Sequence, residues 1–512
     1  MGQPFPGNWS FKRHPWARGM HDCTAEKMVG QKGAQLCFTE VALNKSYFKI
    51  DVHGDSVLYV MPTSNDASDF STARFDPALE LSPHLSKLFS DVKNIGHKRA
   101  GSANMFLRGS RSRSQLKSIP VSFVAIDELD EMVQENIALI FERMSGQLTK
   151  QAFLLSTPTI EDFGINKEFK ASSQDHFFFN CPRCSKMTQL IFPECLIITA
   201  DDYTDESIRD SYLQCKECKG KLVHEDKHEY LGKGQWVSEF TNRIVRGFHV
   251  NQLYSATVKP YEIAISYLRG HENTGDEQEF WNSKMGLPHE PEGARISDSD
   301  LTSCTSSFKM LDCAVGNCIV TMGVDVGSSI DYEITEFRLE RSGGDVSDAA
   351  MGKLLTTGSV KHFEDLDKLM RRYKVHYCVI DANPERRKSL EFAQRFWGHV
   401  KCCFYARGIS SKSITIHPAD QHTISVDRTS WLDLSLGRIR NNRMGLPVDT
   451  PMAYKTQLKN LVRIIKFDSV GNPVASYVKT GPDHFAHARN YCEIALQLAV
   501  NFAQSSDIKR AP

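Results

Sequence analysis

Residues 121–128 read VSFVAIDE, a mostly apolar run that ends in two neighbouring acids. Such a run predicts a strand buried on both faces. Two further runs have the same character: 56–61 (SVLYVM) is followed by a proline, and 152–155 (AFLL) leads into Ser-Thr-Pro. Helix-like segments such as 131–144 lie between the strands. This alternation predicts a parallel sheet covered on both faces, with ligand sites at the carboxyl ends of its strands.

Asp127 and Glu128 form the acidic end of the first of these strands. In nucleotide hydrolases, two such carboxylates hold magnesium and polarise the attacking water. A strand that ends in two acids fits a structural role equally well, so a phosphate-binding loop is needed, and the pattern GxxxxGK[ST] is absent. Residues 32–39 (KGAQLCFT) instead begin with Lys32 and end with Thr39, which can ligate magnesium. The long lysine stem can still bring its ammonium to the phosphates.

Four of the fourteen cysteines form two CxxC pairs, Cys181 with Cys184 and Cys215 with Cys218, separated by thirty residues. This spacing is typical of a zinc ribbon, in which four thiolates hold one tetrahedral ion. The pairs interrupt the strand and helix pattern from about 177 to 236. We therefore expect an inserted zinc-binding module there.

The composition is that of an ordinary globular protein, with 41% apolar and 24% charged residues. At roughly 100 to 200 residues per domain, a chain of 512 residues should hold two to four domains. No apolar run approaches the length of a membrane-spanning helix, and the polar start predicts no secretory signal, so we expect an intracellular protein. Its 62 basic residues balance its 62 acidic ones, so nucleic-acid binding must come from local patches.

A stretch rich in Pro, Gly, Ser and charge, 287–308, predicts a linker. After it, 318–326 predicts a strand, and the period-two alternation of 331–341 predicts an antiparallel partner. A further strand is expected at 377–380 and an amphipathic helix at 485–502. These elements predict a second α/β domain.

Three acids of this second region lie at element ends or among small residues. Asp325 lies within a strand, Asp381 ends another, and Asp483 precedes the last helix. Carboxylates so placed can converge and hold two divalent ions about 4 Å apart for phosphodiester hydrolysis. Each also fits a cap or turn on its own, and Asp483 in particular is a plausible N-cap.

Together these motifs resemble the ATPase domain of tailed-phage terminase large subunits of the lambda-like class. That class has a variant Walker A motif with its lysine moved to the beginning. The resemblance rests on the order of the motifs along the chain, which are the loop at 32–39, 59–70 (YVMPTSNDASDF), the acids at 127 and 128, 154–159 (LLSTPT), the CxxC pairs, 247–254 (GFHVNQLY) and 280–288 (FWNSKMGLP). The second domain resembles the RNase H-like nuclease of the same terminases.

The resemblance implies roles for residues of the first domain. Glu128 would be the catalytic carboxylate, and Thr39 and Asp127 would hold magnesium with ATP. The implied nucleotide-binding residues are Lys32, Gly33, Gln35, Thr39, Asp127, Ser156 and Thr157. The last two match the segment that couples hydrolysis to movement, although an ordinary turn also fits them. Cys37 and Phe38 stand where a standard loop has Gly-Lys, which is expected to reduce phosphate affinity.

A basic run at 97–118 holds six Lys or Arg residues and no acid. It fits a solvated face, but it can also bind DNA phosphates or supply an arginine finger, for which Arg108 and Arg111 are the candidates. Trp16 can stack on the adenine base, although a tryptophan that anchors the surface fits equally well.

For the second domain the resemblance implies that Asp325, Asp381 and Asp483 bind Mg²⁺ or Mn²⁺ and cut duplex DNA. His484 and His487 lie beside the third acid and either tune the metal or lie on the helix surface.

The predicted fold is α/β: a parallel-sheet P-loop-type ATPase domain (1–286) with a zinc-ribbon insert (about 177–236), a linker (287–308), an RNase H-like α/β nuclease domain (309–505) and a tail (506–512). The predicted function is ATP-driven DNA translocation into a procapsid with metal-dependent cutting of concatemeric DNA. The cofactors would be ATP, Mg²⁺ or Mn²⁺, and Zn²⁺. The predicted partners are double-stranded DNA, a small terminase subunit, a procapsid portal and further copies of the chain, but no membrane, in the host cell cytoplasm.

Two alternatives remain at this stage. A transposase- or recombinase-type RNase H-like nuclease without a working ATPase would need the three acids but not Lys32. A zinc-bearing DNA-binding scaffold would keep the cysteines but has no use for the acids. The sequence leaves open the oligomeric state, the rule by which packaging starts and ends, and DNA sequence preference.

Overall fold

The computed structural model describes residues 7–90, 92–311, 318–339, 350–406, 408–409, 412–418, 420–467 and 472–508. The chain divides into two compact units, Met1–Pro291 and Glu292–Pro512. The range expected to be a linker, 287–308, differs from a bare connection because it contains a helix that belongs to the second unit. Ser297 and Asp300 form a capping box at its start, and Leu301 is buried in that unit's core. Capping and apolar burial therefore outweigh the Ser-rich composition.

The first unit contains fourteen strands and ten α-helices within its described residues. The strands are β1 (Lys27–Lys32), β2 (Val57–Met61), β3 (Val92–Asn94), β4 (His97–Ala100), β5 (Ala103–Gly109), β6 (Phe123–Asp127), β7 (Gln151–Ser156), β8 (Asp175–Asn180), β9 (Met187–Thr188), β10 (Leu196–Ile197), β11 (Tyr212–Gln214), β12 (Lys221–Leu222), β13 (Gln235–Ser238) and β14 (Arg246–Val250). The helices are α1 (Ala17–Asp22), α2 (Phe38–His53), α3 (Ser64–Phe70), α4 (Asp76–Leu81), α5 (Pro83–Leu88), α6 (Ile137–Phe141), α7 (Gly164–Lys170), α8 (Lys227–Tyr230), α9 (Pro260–Gly270) and α10 (Thr274–Glu279).

The main sheet of this unit has the order β13-β8-β14-β1-β7-β6-β2-β5-β4-β3. Its strands from β8 to β5 in that order pair in parallel, whereas β13, β4 and β3 pair antiparallel at the two edges. The three predicted strands are β2, β6 and β7, and all three lie in the parallel part. Every residue of β6 is buried, as a central strand of a covered parallel sheet requires. The carboxyl ends of β1, β6 and β7 therefore meet at one edge.

The segment 131–144 is not the single helix expected from its sequence. It forms a 3₁₀ turn at Leu129–Glu131, another at Gln134–Asn136, the short α6 and a third turn at Glu142–Met144. The backbone is extended at Met132, so the helical path is broken, and Leu129 and Met132 are both buried in the core.

The predicted insert begins and ends on the main sheet. Its first strand, β8, pairs with its last, β13, with Phe177 opposite Trp236. Between them, β10, β11 and β12 form a separate three-stranded sheet. The insert is thus anchored on strands of the same sheet that carries Lys32.

The second unit is built on an eight-stranded sheet of order β20-β21-β19-β18-β15-β16-β17-β22. Its strands are β15 (Ile319–Val326), β16 (Ile330–Arg338), β17 (Met351–Val360), β18 (Tyr377–Asp381), β19 (Val400–Tyr405), β20 (Ile414–His417), β21 (Asp420–Val426) and β22 (Met444–Gly445), with a separate hairpin of β23 (Leu461–Phe467) and β24 (Pro473–Lys479). Its helices are α11 (Asp298–Cys304), α12 (Phe363–Arg372), α13 (Arg386–Arg395), α14 (Arg428–Arg440), α15 (Met452–Lys459) and α16 (His484–Ile508).

The predicted antiparallel pair is β15 with β16, and β18 lies parallel to β15 on its other side. The helix expected at 485–502 is α16, which continues to Ile508 and so takes in the start of the predicted tail. Residues 509–512 of that tail lie outside the described residues. Among the helices that the structure describes, none has the length and apolar character needed to cross a membrane.

Candidate active sites

The loop after β1 is held by three hydrogen bonds to two other segments of the chain. The backbone N–H of Gly33 donates to Val250 O (2.9 Å), and that of Ala34 donates to Ser283 O (2.7 Å). The side chain of Gln252 donates to Ala34 O (2.9 Å). Two of the motifs quoted from the sequence, 247–254 and 280–288, thus fix the shape of this loop.

Trp16 supplies a further contact, because its indole Nε1 donates to Leu36 O over 3.0 Å. The ring is 0% exposed and packs edge-on against Phe177 and Tyr254. The interpretation of Trp16 as an adenine-stacking or surface residue is therefore wrong: a fully buried ring has no free face for a base.

The middle of the loop has the geometry of an anion-binding nest. Gln35 and Cys37 adopt positive φ angles of 60° and 72°, and α2 begins at Phe38. Within the described chain, the backbone N–H groups of 35–37 have no hydrogen-bond acceptor. Successive amides in such a turn, at the start of a helix, provide donors for phosphate oxygens. A Cβ at position 33 would lie 2.9 Å from Lys284 O, so glycine is needed for this close packing.

The structure brings Lys32 to the acids at the end of β6. Its side chain is buried, and Nζ lies 3.3 Å from Oε1 of Glu128. Burying an ammonium is costly unless it has an anionic partner, which Glu128 provides here.

Asp127 is buried beside this pair, and Tyr59 donates its hydroxyl to Oδ2 over 2.7 Å. Burial, and then the charge of Glu128, raises the pKa of Asp127 to about 6. Lys32, Tyr59 and the neighbouring Thr39 hydroxyl lower this pKa. Oδ1 of Asp127 is buried and makes no hydrogen bond of normal geometry to the described residues. An oxygen of this kind suits a cation, which favours the predicted magnesium site.

The backbone conformation of Glu128 is unusual and could not be predicted from the sequence around it. It lies in the left-handed region at φ 59° and ψ 53°, which is uncommon for a residue with a side chain. Ser156 Oγ lies 3.5 Å from Oε2 of Glu128 and donates to Thr157 O over 2.8 Å. Ser156 thus lies beside Glu128, whereas the backbone oxygen of Thr157 contacts Ser156.

The two arginine-finger candidates lie apart from these side chains. Arg108 is on β5, and its guanidinium donates to Gly96 O and to Leu107 O. Burial lowers the pKa of Arg108. It lines a cavity of about 500 Å³ together with residues of α3 and of 114–119. Arg111 is exposed. Within the described chain, no hydrogen bond or ion pair joins either arginine to Lys32 or Glu128.

The four predicted zinc ligands come together. The sulfur atoms of Cys181, Cys184, Cys215 and Cys218 all lie within 4.8 Å of one another, and Cys181 Sγ is 3.9 Å from Cys218 Sγ. Zn–S bonds of about 2.3 Å in a tetrahedron imply sulfur separations of about 3.8 Å. The donor set therefore fits a closed, structural zinc ion.

The two cysteine turns are built alike. The N–H of Arg183 donates to Cys181 Sγ, and that of Glu217 donates to Cys215 Sγ, both over 3.4 Å. The residues after the second cysteines, Ser185 and Lys219, have φ angles of 58° and 56°. Amides aimed at sulfur stabilise thiolates, so the chain presents two matched knuckles to one ion.

In the second unit, Asp325 on β15 and Asp381 at the end of β18 lie on neighbouring parallel strands. Burial, together with the charge of Asp325, raises the pKa of Asp381 to about 6. Asp483 directly precedes α16 and is buried. Burial acts to raise the pKa of Asp483, but the hydrogen bond with His487 and the charges of His487, Lys479 and Arg428 together lower this pKa below its usual value. The three acids therefore share one electrostatic environment.

Histidines occupy the space between these acids. His484 Nδ1 lies 2.8 Å from Asp325 Oδ2, and His487 Nε2 lies 3.2 Å from Asp483 Oδ2. The hydrogen bond to Asp325 raises the pKa of His484. The sequence left these histidines between metal tuning and a helix surface. The structure places both on the acids, a position predictable only from knowing that α16 packs against β15.

The capping alternative for Asp483 is not what the structure shows. Its carboxylate faces His487 and, at 4.0 Å, Arg428, while the amide of Phe485 donates to Gln457.

Within the described residues, the cysteines form the only group of three or more His, Cys, Asp or Glu ligand atoms within 4.8 Å of one another. The three aspartates are therefore near one another but not as tightly gathered as the cysteines.

The sequence matches two family models. The first is that of the phage terminase large subunit gpA, ATPase domain, over residues 3–236. The second is that of the terminase large subunit gpA, endonuclease domain, over residues 245–341. Together they span well over half of the chain. The chain belongs to the phage terminase large subunit family.

Three solved structures are similar to the chain or to parts of it, and the first of them shows the same fold. The large terminase of bacteriophage HK97 matches with a TM-score of 0.51 and 9% identity, over 97% of this chain and 96% of that chain. The ATPase domain of the Thermus phage P74-26 large terminase matches at a TM-score of 0.34 and 14% identity, over 53% of this chain and 92% of that one. The large terminase nuclease of thermophilic phage G20c matches at a TM-score of 0.24 and 14% identity, over 38% of this chain and 95% of that one. No curated protein sequence matches the chain.

The family resolves the question that the sequence left open. This terminase carries an ATPase domain and an endonuclease domain, and its function is the packaging and cutting of phage DNA. The α/β fold predicted for both domains is confirmed. Neither a nuclease without an ATPase nor a non-enzymatic scaffold is favoured. The two domains imply the use of a nucleotide and of divalent metal.

Proposed function

We propose that the terminase hydrolyses ATP at the carboxyl edge of its first sheet, with Glu128 as the carboxylate that polarises the attacking water. The observation that carries this proposal is the buried ammonium of Lys32, 3.3 Å from Glu128 and beside Asp127. A polyphosphate is a stronger anion than one carboxylate. On binding it would draw Lys32 away from Glu128 and leave that carboxylate free to act as a base.

The remaining nucleotide contacts follow from the shape of the loop. The free amides of Gln35 and its neighbours would bind phosphate oxygens, and Gly33 permits the tight packing behind them. Magnesium bound with ATP would be held by Thr39 and Asp127 and would neutralise charge on the phosphates. The buried Oδ1 of Asp127 supports this assignment.

Ser156 and Thr157 would report the state of the nucleotide to the segment that follows β7. The support for this role is the position of Ser156, 3.5 Å from Glu128 and next to Thr157 in the chain. A change at Glu128 on hydrolysis would reach that segment through one hydroxyl.

In the second unit, Asp325, Asp381 and Asp483 would hold Mg²⁺ or Mn²⁺ for phosphodiester cleavage. Two ions held by such acids stabilise the attacking and leaving oxygens. The raised pKa of Asp381 supports this proposal, because the ionised carboxylate is disfavoured in its buried position and a bound cation nearby would stabilise it.

We assign the four cysteines to one structural zinc ion. The test is a metal analysis of freshly purified, unchelated protein, for which about one zinc per chain is expected. Cys215→Ser should lose the ion and lower the melting temperature of the first unit, because the metal holds the insert together. Cys304→Ser is the matched control, since Cys304 belongs to the second unit and is not one of the four clustered cysteines. Protein without zinc would refute the assignment.

The partners proposed for this terminase are double-stranded DNA, a small terminase subunit, a procapsid portal and further copies of the chain, in the host cell cytoplasm. Of the two arginine candidates, the exposed Arg111 is better placed to reach a neighbouring copy, since Arg108 already donates to two backbone carbonyls. Charge reversal at Arg111 should then reduce ATPase activity only under conditions in which the chains assemble.

The experiment that tests the ATPase assignment compares nucleotide binding with turnover in Glu128→Gln. Binding should remain, because the carboxylate acts on water, whereas turnover should fall by about a hundredfold or more. Glu142→Gln, at an exposed position of the same unit, is the matched control. Turnover of Glu128→Gln within about tenfold of the wild type would contradict the assignment.

A further inference from the structure

Asp130 lies two residues after Glu128, in the 3₁₀ turn at Leu129–Glu131, and its side chain is 4% exposed. Both of its carboxylate oxygens accept backbone amides from the segment after β7. Oδ2 accepts from Thr159 N over 2.8 Å, and Oδ1 accepts from Ile165 N over 2.7 Å. The amide of Asp130 donates to Ser156 Oγ over 3.3 Å. One buried residue thus binds the turn that carries Glu128 to both ends of that segment.

Residues 157–166, named here the bridging segment, are shaped around this carboxylate. Gly164 has a φ of +49°, and a Cβ added there would lie 2.2 Å from Oδ1 of Asp130. No residue with a side chain fits this approach without movement of the carboxylate. The contact between Asp130 and the bridging segment therefore depends on a glycine at position 164.

The bridging segment also reaches the strand that carries the lysine. Asn166 is buried, and its Nδ2 donates to Gln31 Oε1 over 3.0 Å. Gln31 in turn donates to Gly286 O over 2.9 Å, within one of the segments that hold the phosphate loop. The same ten residues thus contact the turn after Glu128 and the residue before Lys32.

We propose that Asp130 is a positioning residue that ties Glu128 to the bridging segment, so that the catalytic carboxylate and the segment after β7 move together. This rests on the proposed role of Glu128. Asp130 itself touches no reacting atom. Its two amide contacts make the turn after Glu128 follow the bridging segment, and Asn166 carries the same movement to the strand before Lys32.

A residue with this role affects the rate of the chemical step more than the affinity for nucleotide. Loss of its contacts leaves Lys32 and the loop amides in place but loosens the turn on which Glu128 stands. A displacement of about 1 Å at a catalytic group can cost about a hundredfold in rate. A residue that only stabilised the fold would change the melting temperature without separating kcat from KM.

The test uses full-length protein with Asp130→Asn, Asp130→Ala and Gly164→Ala, and measures steady-state ATP hydrolysis, nucleotide binding and melting temperature. We expect kcat to fall at least about tenfold with KM for ATP within about threefold, and Asp130→Asn, which keeps one acceptor oxygen, to lose less than Asp130→Ala. Glu161→Gln, at an exposed position of the bridging segment, should match the wild type. Gly164→Ala disrupts the same contact, because its Cβ would displace the carboxylate of Asp130. This variant tests the inference if the Asp130 variants do not fold.

Folded Asp130 and Gly164 variants with wild-type kcat would overturn the inference, as would a rise in KM equal to the fall in kcat. Glu128→Gln in the same series separates this failure from failure of the proposed function. If Glu128→Gln abolishes turnover and the others do not, only the positioning role fails. If Glu128→Gln turns over normally, the catalytic assignment fails first.

Discussion

The two acidic centres of this terminase differ in how their negative charge is balanced. In the first unit, Asp127 and Glu128 have a buried lysine beside them, supplied by the neighbouring loop. In the second unit, Asp325 and Asp381 have no Lys or Arg ion pair among the described residues, and their neighbours are histidines and, near Asp483, Arg428. The first centre thus has a buried lysine paired with one of its two acids, whereas in the second centre the fixed cation Arg428 lies near Asp483 and not beside Asp325 or Asp381.

This difference matches the two substrates. In the proposed ATPase site a nucleotide would bring several negative charges, and the buried lysine would offset part of them. The proposed nuclease site would instead recruit divalent ions, and Asp325 and Asp381, which have no Lys or Arg ion pair among the described residues, would attract them more strongly than acids paired with a fixed cation. The comparison predicts that substitutions in the first centre reduce ATP binding or hydrolysis alone, and that substitutions in the second reduce DNA cleavage alone.

The largest effect is expected at Asp381. Asp381→Asn should lower DNA cleavage by at least about a thousandfold, since a ligand to the proposed metal ions is lost, while ATP hydrolysis stays within about twofold. Plasmid linearisation in Mn²⁺ and ATPase rates on the same preparation measure both. Asp365→Asn, at a partly exposed aspartate on α12 that pairs with Lys368, is the control. If Asp381→Asn still linearises plasmid at the wild-type rate, Asp381 is not a metal ligand.

A smaller effect is expected at Lys32, the buried cation of the first centre. Lys32→Ala should weaken ATP binding by about tenfold to a hundredfold, the worth of one or two charge-assisted hydrogen bonds, and leave cleavage of DNA unchanged. Titration with a fluorescent ATP analogue measures the affinity. Lys87→Ala, at an exposed position on α5, should bind normally. Unchanged binding in Lys32→Ala would mean that the loop at 32–39 is only a turn.

The smallest effect is expected at His484, which contacts Asp325 but is not itself a proposed metal ligand. His484→Gln should raise the Mn²⁺ concentration needed for half-maximal cleavage by about tenfold, as is usual when a partner of a metal ligand is removed. His362→Gln, exposed at the start of α12, serves for comparison. If His484→Gln instead abolishes cleavage at saturating Mn²⁺, the histidine takes part in the chemistry itself.

Much of the fold follows from the sequence because its signals are local. The apolar runs at β2, β6 and β7 have the period of buried strands, and the alternation at 331–341 predicts the strand that the structure forms as β16. Although this alternation is typical of a half-buried strand, seven of the nine residues of β16 are buried, and its Glu333 pairs with the buried Arg489. The spacing of the four cysteines likewise predicts that their sulfur atoms come together, as they do in the structure. These features depend on neighbours in the chain and need no tertiary information.

What the sequence does not show depends on distant contacts or on backbone geometry. The segment 131–144 has a helical composition, but burial of Leu129 and Met132 breaks it into short turns. The left-handed conformation of Glu128 and the burial of Trp16 under the phosphate loop have no local signature. The contact of His484 with Asp325 joins segments 159 residues apart.

The central claim is that one chain holds two separable catalytic centres, and it is tested most directly by measuring DNA-stimulated ATP hydrolysis and Mn²⁺-dependent plasmid cleavage on the same preparations of the wild type, Glu128→Gln and Asp381→Asn. The account predicts that Glu128→Gln loses only ATP hydrolysis and that Asp381→Asn loses only cleavage. Loss of both activities together in either folded variant, or of neither, would contradict it.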